Sequence, residues 1–562
     1  MLTPDRVADI VAQHDSYWDQ RRTYLRELRN LYMTRFWQDN AYPTLDGILR
    51  TEVPRAYAVV ESYIGSLYSR NPAVFVQEDL RARGNAEVAQ ATANQYLLTI
   101  RDQIEDATRL ALIYPCSFIK LAPVESVDPL KRVSTAALPP WEVLVDATAS
   151  SWEQQRYVGH AYLMPLDEAT VRYSKSEDDF RPRVYSKWID SAEIAGKSQS
   201  LGYDTSANPP TSEKWIRVVE VYDLLEDKLL VWSEDYDNGA SFLFEGVKVQ
   251  VGALDESAAA DTETPDAELV HETTGIPYKS ASGRPVVPIV PLYFSRDPDT
   301  PLRGYSLIHR SLDQFRELNV MRTYQAQGVR RMARQWLVRA GFLSEDGAAK
   351  VSQGLDGEFI ECDLQPGQPL EGNMIPVPNT PIPADISGYA MIVEQDIRDA
   401  GLLAPFTRGE VSGTTATEQN LLAAYTSSEV GRMARIRDGL ITSVARTYNI
   451  VLSVILGEDA EPLALPNPVG PTILSADDLT GDFRYWAVDA GSTPMSALAK
   501  QAALERLAPL LAQLGTPSSE LLEELVRAYQ LPESFVAVPE PVPAAEEAVP
   551  ASPEALPFPS EI

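Results

Sequence analysis

The chain is 562 residues long, 44% apolar, with a formal net charge of −31 at pH 7; it is too long for one core and has apolar material for several. Duplex DNA carries one negative charge per about 1.7 Å of axis and tight DNA binders present basic faces, so a chain this acidic is repelled as a whole, which argues against a nucleic-acid-binding module. Cys116 and Cys362 match no disulfide or zinc spacing, no run of eighteen apolar residues occurs, and Met1-Leu2-Thr3-Pro4-Asp5 lacks signal-peptide order, which predicts a protein kept in a reducing cytoplasm.

The first forty residues read as helix. Val7, Ile10, Val11, His14 and Trp18, then Leu25, Leu28, Leu31 and Tyr32, recur at spacings that share one face. A second helix is predicted from Pro54, carrying Val59, Val60, Tyr63, Ile64 and Leu67. Asn71-Pro72 stops it, because the residue before proline avoids the helical region. A third spans 85–113, with Tyr96, Leu97, Ile100, Ile104, Ala107 and Leu110 in register. From Ser117 the pattern turns to β-rich runs bounded by prolines, at 118–121 and 141–145. Residues 156–164 alternate, and further strands are predicted at 218–225, 229–232 and 286–294. Two polar stretches, 190–213 and 252–275, read as exposed or mobile loop.

Helix returns at Gly304 and continues toward Met332 through Leu307, Ile308, Leu312, Phe315, Leu318 and Met321. Residues 335–383, rich in Gly and Pro, read as a small strand-containing subdomain inserted before another helix at 384–403. After a loop at 404–415, Leu422, Tyr425, Met433, Ile436, Leu440, Val444, Tyr448, Val451 and Ile455 hold helical spacing over some forty residues, a helix of roughly 60 Å. Gly431 and Gly439 are expected to mark kinks in it. A proline-rich linker, a β-like run at 483–488 and helices at 496–514 and 518–529 follow. The last thirty residues, mostly Pro, Ala, Val and Glu, predict a disordered tail.

Catalytic motifs are missing. Gly196-Lys197-Ser198 resembles the end of a phosphate loop, but Ser191 stands where that loop needs glycine. Gly304-Tyr305-Ser306-Leu307-Ile308 starts like a nucleophile elbow, yet Ile308 replaces the closing glycine. Ser306 reads instead as a helix N-cap. The four histidines, His14, His160, His271 and His309, sit singly. The expectation is a structural protein with no catalytic residue, cofactor or metal.

The order of elements resembles the portal proteins of tailed bacteriophages: a mixed first half, a helix, an inserted subdomain, a returning helix, a loop and a very long helix. Local runs carry the same resemblance. Pro139-Pro140-Trp141-Glu142-Val143-Leu144-Val145-Asp146, then Arg156-Tyr157-Val158, looks like the family's strand, aspartate and downstream strand. Pro288-Ile289-Val290-Pro291-Leu292-Tyr293-Phe294 is similar to the approach to the first stem helix. Gly304 to Ile308, Leu312, Leu318-Asn319 and Arg322-Thr323 look like that helix. Gly413-Thr414-Thr415-Ala416-Thr417-Glu418 resembles the join of tunnel loop to wing helix. The resemblance covers roughly residues 5–500, and the shared order carries it.

The resemblance implies an α+β fold, mainly helical, with a long wing helix and small β subdomains. The wing would be 1–300 plus the helix 416–458, the stem 301–334 and 384–403, and the clip 335–383. The tunnel loop would be 404–415 and the crown 459–530, with a Pro/Glu tail at 531–562. It implies a homo-oligomeric ring, usually a dodecamer, at one capsid vertex, through which double-stranded DNA passes non-specifically during packaging and ejection. Implied partners are the terminase large subunit, the head–tail adaptor, and the major capsid and scaffolding proteins. No membrane is implied, and the protein would belong to the virion, assembled in the host cytoplasm. Two site groups follow: Arg408, Glu410, Ser412, Thr414 and Thr415 in the tunnel loop, and a basic stem face of Arg322, Arg330, Arg331 and Arg334. Only Asp313 and Glu317 oppose eight arginines between Arg303 and Arg339. Another head–tail connector or minor capsid component shares the composition but should lack this order; an enzyme of unknown class is a further alternative.

Overall fold

A computed structural model describes residues 2–38, 50–68, 71–78, 85–124, 131–181, 214–250, 270–273, 275–280, 282–297, 304–332, 336–339, 343–344, 374–376, 384–400, 416–457, 463–465, 472–479, 481 and 483–487. The chain divides into two units, Met1–Ser492 and Thr493–Ile562, and all described residues belong to the first. The expected C-terminal helices and tail, the whole tunnel loop, and most of the predicted clip and polar stretches lie outside the described residues.

Thr3 starts the first helix. Its hydroxyl accepts from the Arg6 N–H at 3.4 Å, and Pro4 occupies the first turn, where no N–H is needed. This helix, α1 (Pro4–Asp19), buries Val7, Val11, His14 and Trp18. The apolar stripe continues as predicted, but the helix breaks at Gln20 and Arg21 and restarts as α2 (Arg22–Tyr32). The second predicted helix is α3 (Arg55–Leu67). The third is two helices, α4 (Ala86–Thr99) and α5 (Arg101–Ile113). Asn85 caps α4 by accepting from Glu87 and Val88 N–H groups at 3.0 and 3.4 Å. Ile100, at φ −102° and ψ 15°, breaks the helix while staying buried on the common stripe. Later helices are α6 (Leu166–Tyr173), α7 (Leu312–Met332), α8 (Ala384–Ala400), α9 (Ala416–Leu456) and the short α10 (Ala476–Leu479).

The strands are β1 (Val74–Glu78), β2 (Ser117–Pro123), β3 (Val133–Leu138), β4 (Val143–Val145), β5 (Tyr157–Pro165), β6 (Trp215–Asp223), β7 (Lys228–Trp232) and β8 (Phe242–Glu245). After them come β9 (Val247–Gln250), β10 (Val270–Thr273), β11 (Ile289–Leu292), β12 (Trp336–Val338), β13 (Met374–Pro376), β14 (Leu463–Leu465), β15 (Thr472–Leu474) and β16 (Phe483–Ala487). The main sheet has the order β4-β5-β6-β7-β8, a second is β11-β2-β3, and four antiparallel pairs remain, β1-β16, β9-β10, β12-β13 and β14-β15.

The central strand β6 is buried almost throughout because both faces of its sheet are covered. Val7 and Val11 of α1 pack with Val219, Val221 and Trp232 on one face. Leu166, Ala169 and Tyr173 of α6 pack with Ile216, Val218 and Val231 on the other.

The 41-residue α9 organises the largest core. Val430, Met433, Leu440, Val444, Tyr448, Val451 and Leu452 are buried against α3, α4, β2, β11 and β16. Tyr448 stacks on Tyr96 of α4 with centroids 3.6 Å apart, and Asn449 donates to the Ala89 carbonyl at 3.1 Å and to Tyr485 Oη at 2.9 Å. The helix runs uninterrupted through Gly431 and Gly439, so both glycines are tolerated inside it. A β-carbon at either glycine would meet open space; the surrounding turns supply the packing. Its apolar stretch Val430–Leu456 is long enough to cross a bilayer by composition, but its apolar residues are packed in protein core and Arg437 is buried among them, donating to Asp438 and to the Leu67 carbonyl.

Strand β1 was not predicted. It pairs with β16, from the far end of the described chain, placing Phe75 opposite Trp486. Its other edge is capped by side chains: Asn94 Oδ1 accepts from Val74 N–H at 2.7 Å and Gln90 Oε1 from Val76 N–H at 2.9 Å, satisfying groups a bare edge would expose.

Gly304 enters the α7 region at φ +41°, where a β-carbon would collide with the carbonyl oxygens of Pro115 and Ser295, so only glycine fits. Ser306 does not cap α7. Its hydroxyl accepts from Ile308 N–H at 3.0 Å and donates to the Leu112 carbonyl at 3.2 Å, anchoring a 3-10 turn (Ile308–Ser311) ahead of the helix.

Candidate functional site

Two places collect polar side chains for which the apolar sequence gives no packing reason. The first lies between the two larger sheets. In β5 and β6, His160 stands opposite Glu220. Tyr162, two residues on, shares the face of His160, and their rings stack at 4.9 Å. Lys120 reaches in from β2. Its ammonium donates to Glu220 Oε2 at 2.6 Å and to His160 Nδ1 at 2.9 Å, while Tyr162 Oη donates to Glu220 Oε1 at 2.7 Å.

The electrostatics follow from that geometry. Burial, then the Lys120 charge, pushes the His160 pKa down to about 3. Burial alone would raise Glu220, but Lys120, His160 and the two hydrogen bonds outweigh it and hold the carboxyl at about 2. Near neutral pH Glu220 is therefore ionised and His160 neutral, with Nδ1 accepting from the ammonium. Neither gains or loses a proton there. A cavity of about 360 Å³ beside the cluster is walled by Tyr162, Tyr173, Tyr222, Phe244 and Tyr278. The cluster is a fixed polar pin between two sheets. Among the described residues no three His, Cys, Asp or Glu side chains gather as a metal centre would require.

The second place is α7 and its surroundings. Arg316 forks onto Glu27 of α2, Nε to Oε1 and Nη2 to Oε2 both at 2.6 Å, and also donates to Asp313 at 2.7 Å. Its charge is thus balanced within the chain by a carboxylate distant in sequence. Arg310 donates to Ser295 Oγ at 3.0 Å. Of the predicted basic face, Arg322 is exposed and donates to Gln325 Oε1 at 3.3 Å. Arg330 and Arg331 fall in the last turn of α7, and Arg334 lies outside the described residues. So do Arg408, Glu410, Ser412, Thr414 and Thr415.

The remaining motif residues act as clamps. Asn319 Oδ1 accepts from Val53 N–H at 2.8 Å, and Thr323 Oγ1 accepts from Thr51 N–H at 3.0 Å and donates to the Thr51 carbonyl at 3.1 Å. Two side chains one helical turn apart thus tie an extended segment to α7. Next to it, Arg55 pairs with Glu394 of α8 at 3.0 Å, and Tyr389 Oη donates to Glu317 at 2.7 Å. Asp146, only 1% exposed, accepts from Thr148 N–H at 3.0 Å and from Arg156. Burial would raise its pKa, but the hydrogen bonds from Arg156 and Thr148 bring it down to about 2. It closes the turn after β4.

No protein-family model matches the chain, and no curated protein matches it. Among solved structures, 85% of this chain aligns with 90% of a chain described as the neck of an empty GTA particle computed with C6 symmetry, at 12% identity and a TM-score of 0.35. That likeness is loose and carries no functional reading.

Proposed function

We propose that this chain is a portal protein of the tailed-bacteriophage kind: one subunit of a ring around a channel for double-stranded DNA. The observation that carries the reading is the succession from α7 to α9. Helix α7 is followed by the antiparallel pair β12–β13, and α8 then packs on α7 before the chain enters the 41-residue α9. A stem pair bearing a small β insertion, joined to one very long helix, suits a subunit that lines a channel with one part and anchors it with the other.

The charge fits the same role. A net charge of −31 favours passage of phosphate over capture. The ring would dock a terminase large subunit and later a head–tail adaptor at the inserted β region, sit among major capsid and scaffolding proteins, and take its energy from the terminase. The exposed Arg322 and the arginines at the end of α7 would face the channel or the motor, and Arg408 and Glu410 the narrowest part of the passage.

The test is direct imaging. The purified full chain, examined by negative-stain electron microscopy and native mass measurement, is expected to give closed rings with a central hole. A chain that stays monomeric at all concentrations, alone and with scaffolding protein, rejects the proposal.

A further inference from the structure

One side of α9 is only partly covered by the core, and a groove of about 1030 Å³ lies along it. Ile436, Gly439, Ser443 and Ile450 of α9 form one wall. Apolar side chains, among them Val158 and Val286, make up much of the remainder. Arg284, Arg296 and Arg446 open onto the groove and are all exposed. Among the described residues none of the three guanidinium groups has an ion pair or hydrogen bond. A fourth arginine, Arg432, donates to the Phe294 carbonyl at 2.8 Å. Glu153 is the sole carboxylate among the lining residues.

The charge of this groove runs against that of the chain, in which acidic residues outnumber basic ones 80 to 49. Arginines such as Arg109, Arg316 and Arg437 are matched by carboxylates of their own chain, whereas the groove gathers four arginines around a single carboxylate. Guanidinium groups beside an apolar floor are suited to forked pairing with carboxylates from another surface. We propose that this groove receives an acidic, partly apolar surface of a second copy of the chain. This inference rests on the ring reading and names the face that closes the ring. The complementarity is between different surfaces, so the contact is head-to-tail, and repeating it by a rotation that closes on itself generates a ring. An apolar floor and Glu153 suit a protein surface better than a phosphate backbone.

The experiment uses the full chain in three forms: wild type, Arg284→Glu/Arg296→Glu/Arg446→Glu, and the same positions changed to Lys. Circular dichroism checks folding. Mass photometry reads assembly against concentration, at low and high salt. A further variant carries the photo-crosslinker benzoylphenylalanine in place of Ser443, which is exposed in the groove. Charge reversal is expected to raise the concentration for half-assembly by roughly tenfold or more, with the lysine form in between, and salt to weaken the wild type. Irradiation is expected to join two copies. If wild-type rings form while the folded reversal variant assembles equally well and Ser443 cross-links to no second copy, the groove is not the interface and the ring reading stands. Wild type that never assembles fails the ring reading and takes this inference with it. Arginine-dependent binding of duplex DNA to the wild type, with assembly unaffected by charge reversal, would also overturn the proposal.

Discussion

Replacing Lys120 by Met should destabilise the protein far more than removing its charge partner at the same time. The ammonium sits 2.6 Å from Glu220 Oε2 and 2.9 Å from His160 Nδ1, and both side chains of the ion pair are 11% exposed. Methionine fills most of the lysine stem, so the cavity contribution is small. What remains is a buried carboxylate whose one remaining hydrogen bond among the described residues is from Tyr162, and an imidazole nitrogen without its donor. Removing one partner of such a pair costs about 3–5 kcal/mol, whereas replacing both by apolar groups is often neutral or stabilising. Lys120→Met is therefore expected to lose about 3–5 kcal/mol, and Lys120→Met/Glu220→Leu much less, a large non-additivity. Urea unfolding of the full chain, followed by tryptophan fluorescence at fixed protein concentration, gives the midpoints and slopes. A single substitution within about 1 kcal/mol of wild type would refute the reasoning. So would a double variant as unstable as the single one.

Three further outcomes follow from the same structure. His160 titrates at about 3 when folded against an ordinary 6.5, so below pH 6.5 the unfolded chain takes up a proton that the folded one refuses. Stability contributed there is present above pH 6.5 and falls as pH drops toward 3, by up to about 1.4 kcal/mol per pH unit; His160→Gln should flatten the profile between pH 6 and 5, and an unchanged slope would show that His160 does not titrate as described. Gly304→Ala should cost more than about 1 kcal/mol, through its left-handed φ and the two carbonyls in the way; a thermal midpoint equal to wild type would argue against that tight approach. Asn449→Ala removes the donors to the Ala89 carbonyl and Tyr485 and should cost about 1–3 kcal/mol, read by the same urea titration, with no measurable change counting against a buried role.

Some of the candidate site was legible before folding. Glycine at 304, and Asn319 and Thr323 one helical turn apart, were singled out as motif residues, but only as a likeness. Their work, a close carbonyl approach and two backbone clamps, depends on residues 115, 295, 51 and 53, which no local pattern brings together. The Lys120–Glu220 pair had a signal that periodicity discards: a charge in the middle of an apolar run, as in Phe118-Ile119-Lys120-Leu121 and Val218-Val219-Glu220-Val221. Such a charge needs a partner when buried, yet nothing in either strand says that the two sheets will face each other. The arginine cluster on α7 was legible as charge, but Glu27 lies 289 residues from Arg316, so its neutralisation was not.

What the sequence by itself determined is the local course of the backbone. The stripes at spacings of three and four place α1 to α5, α7 and α9, because a helix forms wherever such a stripe finds something to cover it. The same stripes passed over the breaks at Gln20 and Ile100, because a residue or two out of helical conformation leaves the apolar face nearly in register. Tertiary structure alone decided what needs two distant segments at once. Strand β1 reads as a polar-flanked stub until β16 and the side chains of α4 complete its hydrogen bonds. The near-continuous burial of β6 likewise follows from α1 and α6 covering opposite faces of one sheet. Local spacing records which residues seek cover; the folded chain decides which surface covers them, since burial and ion pairing act between neighbours in space whatever their separation in sequence.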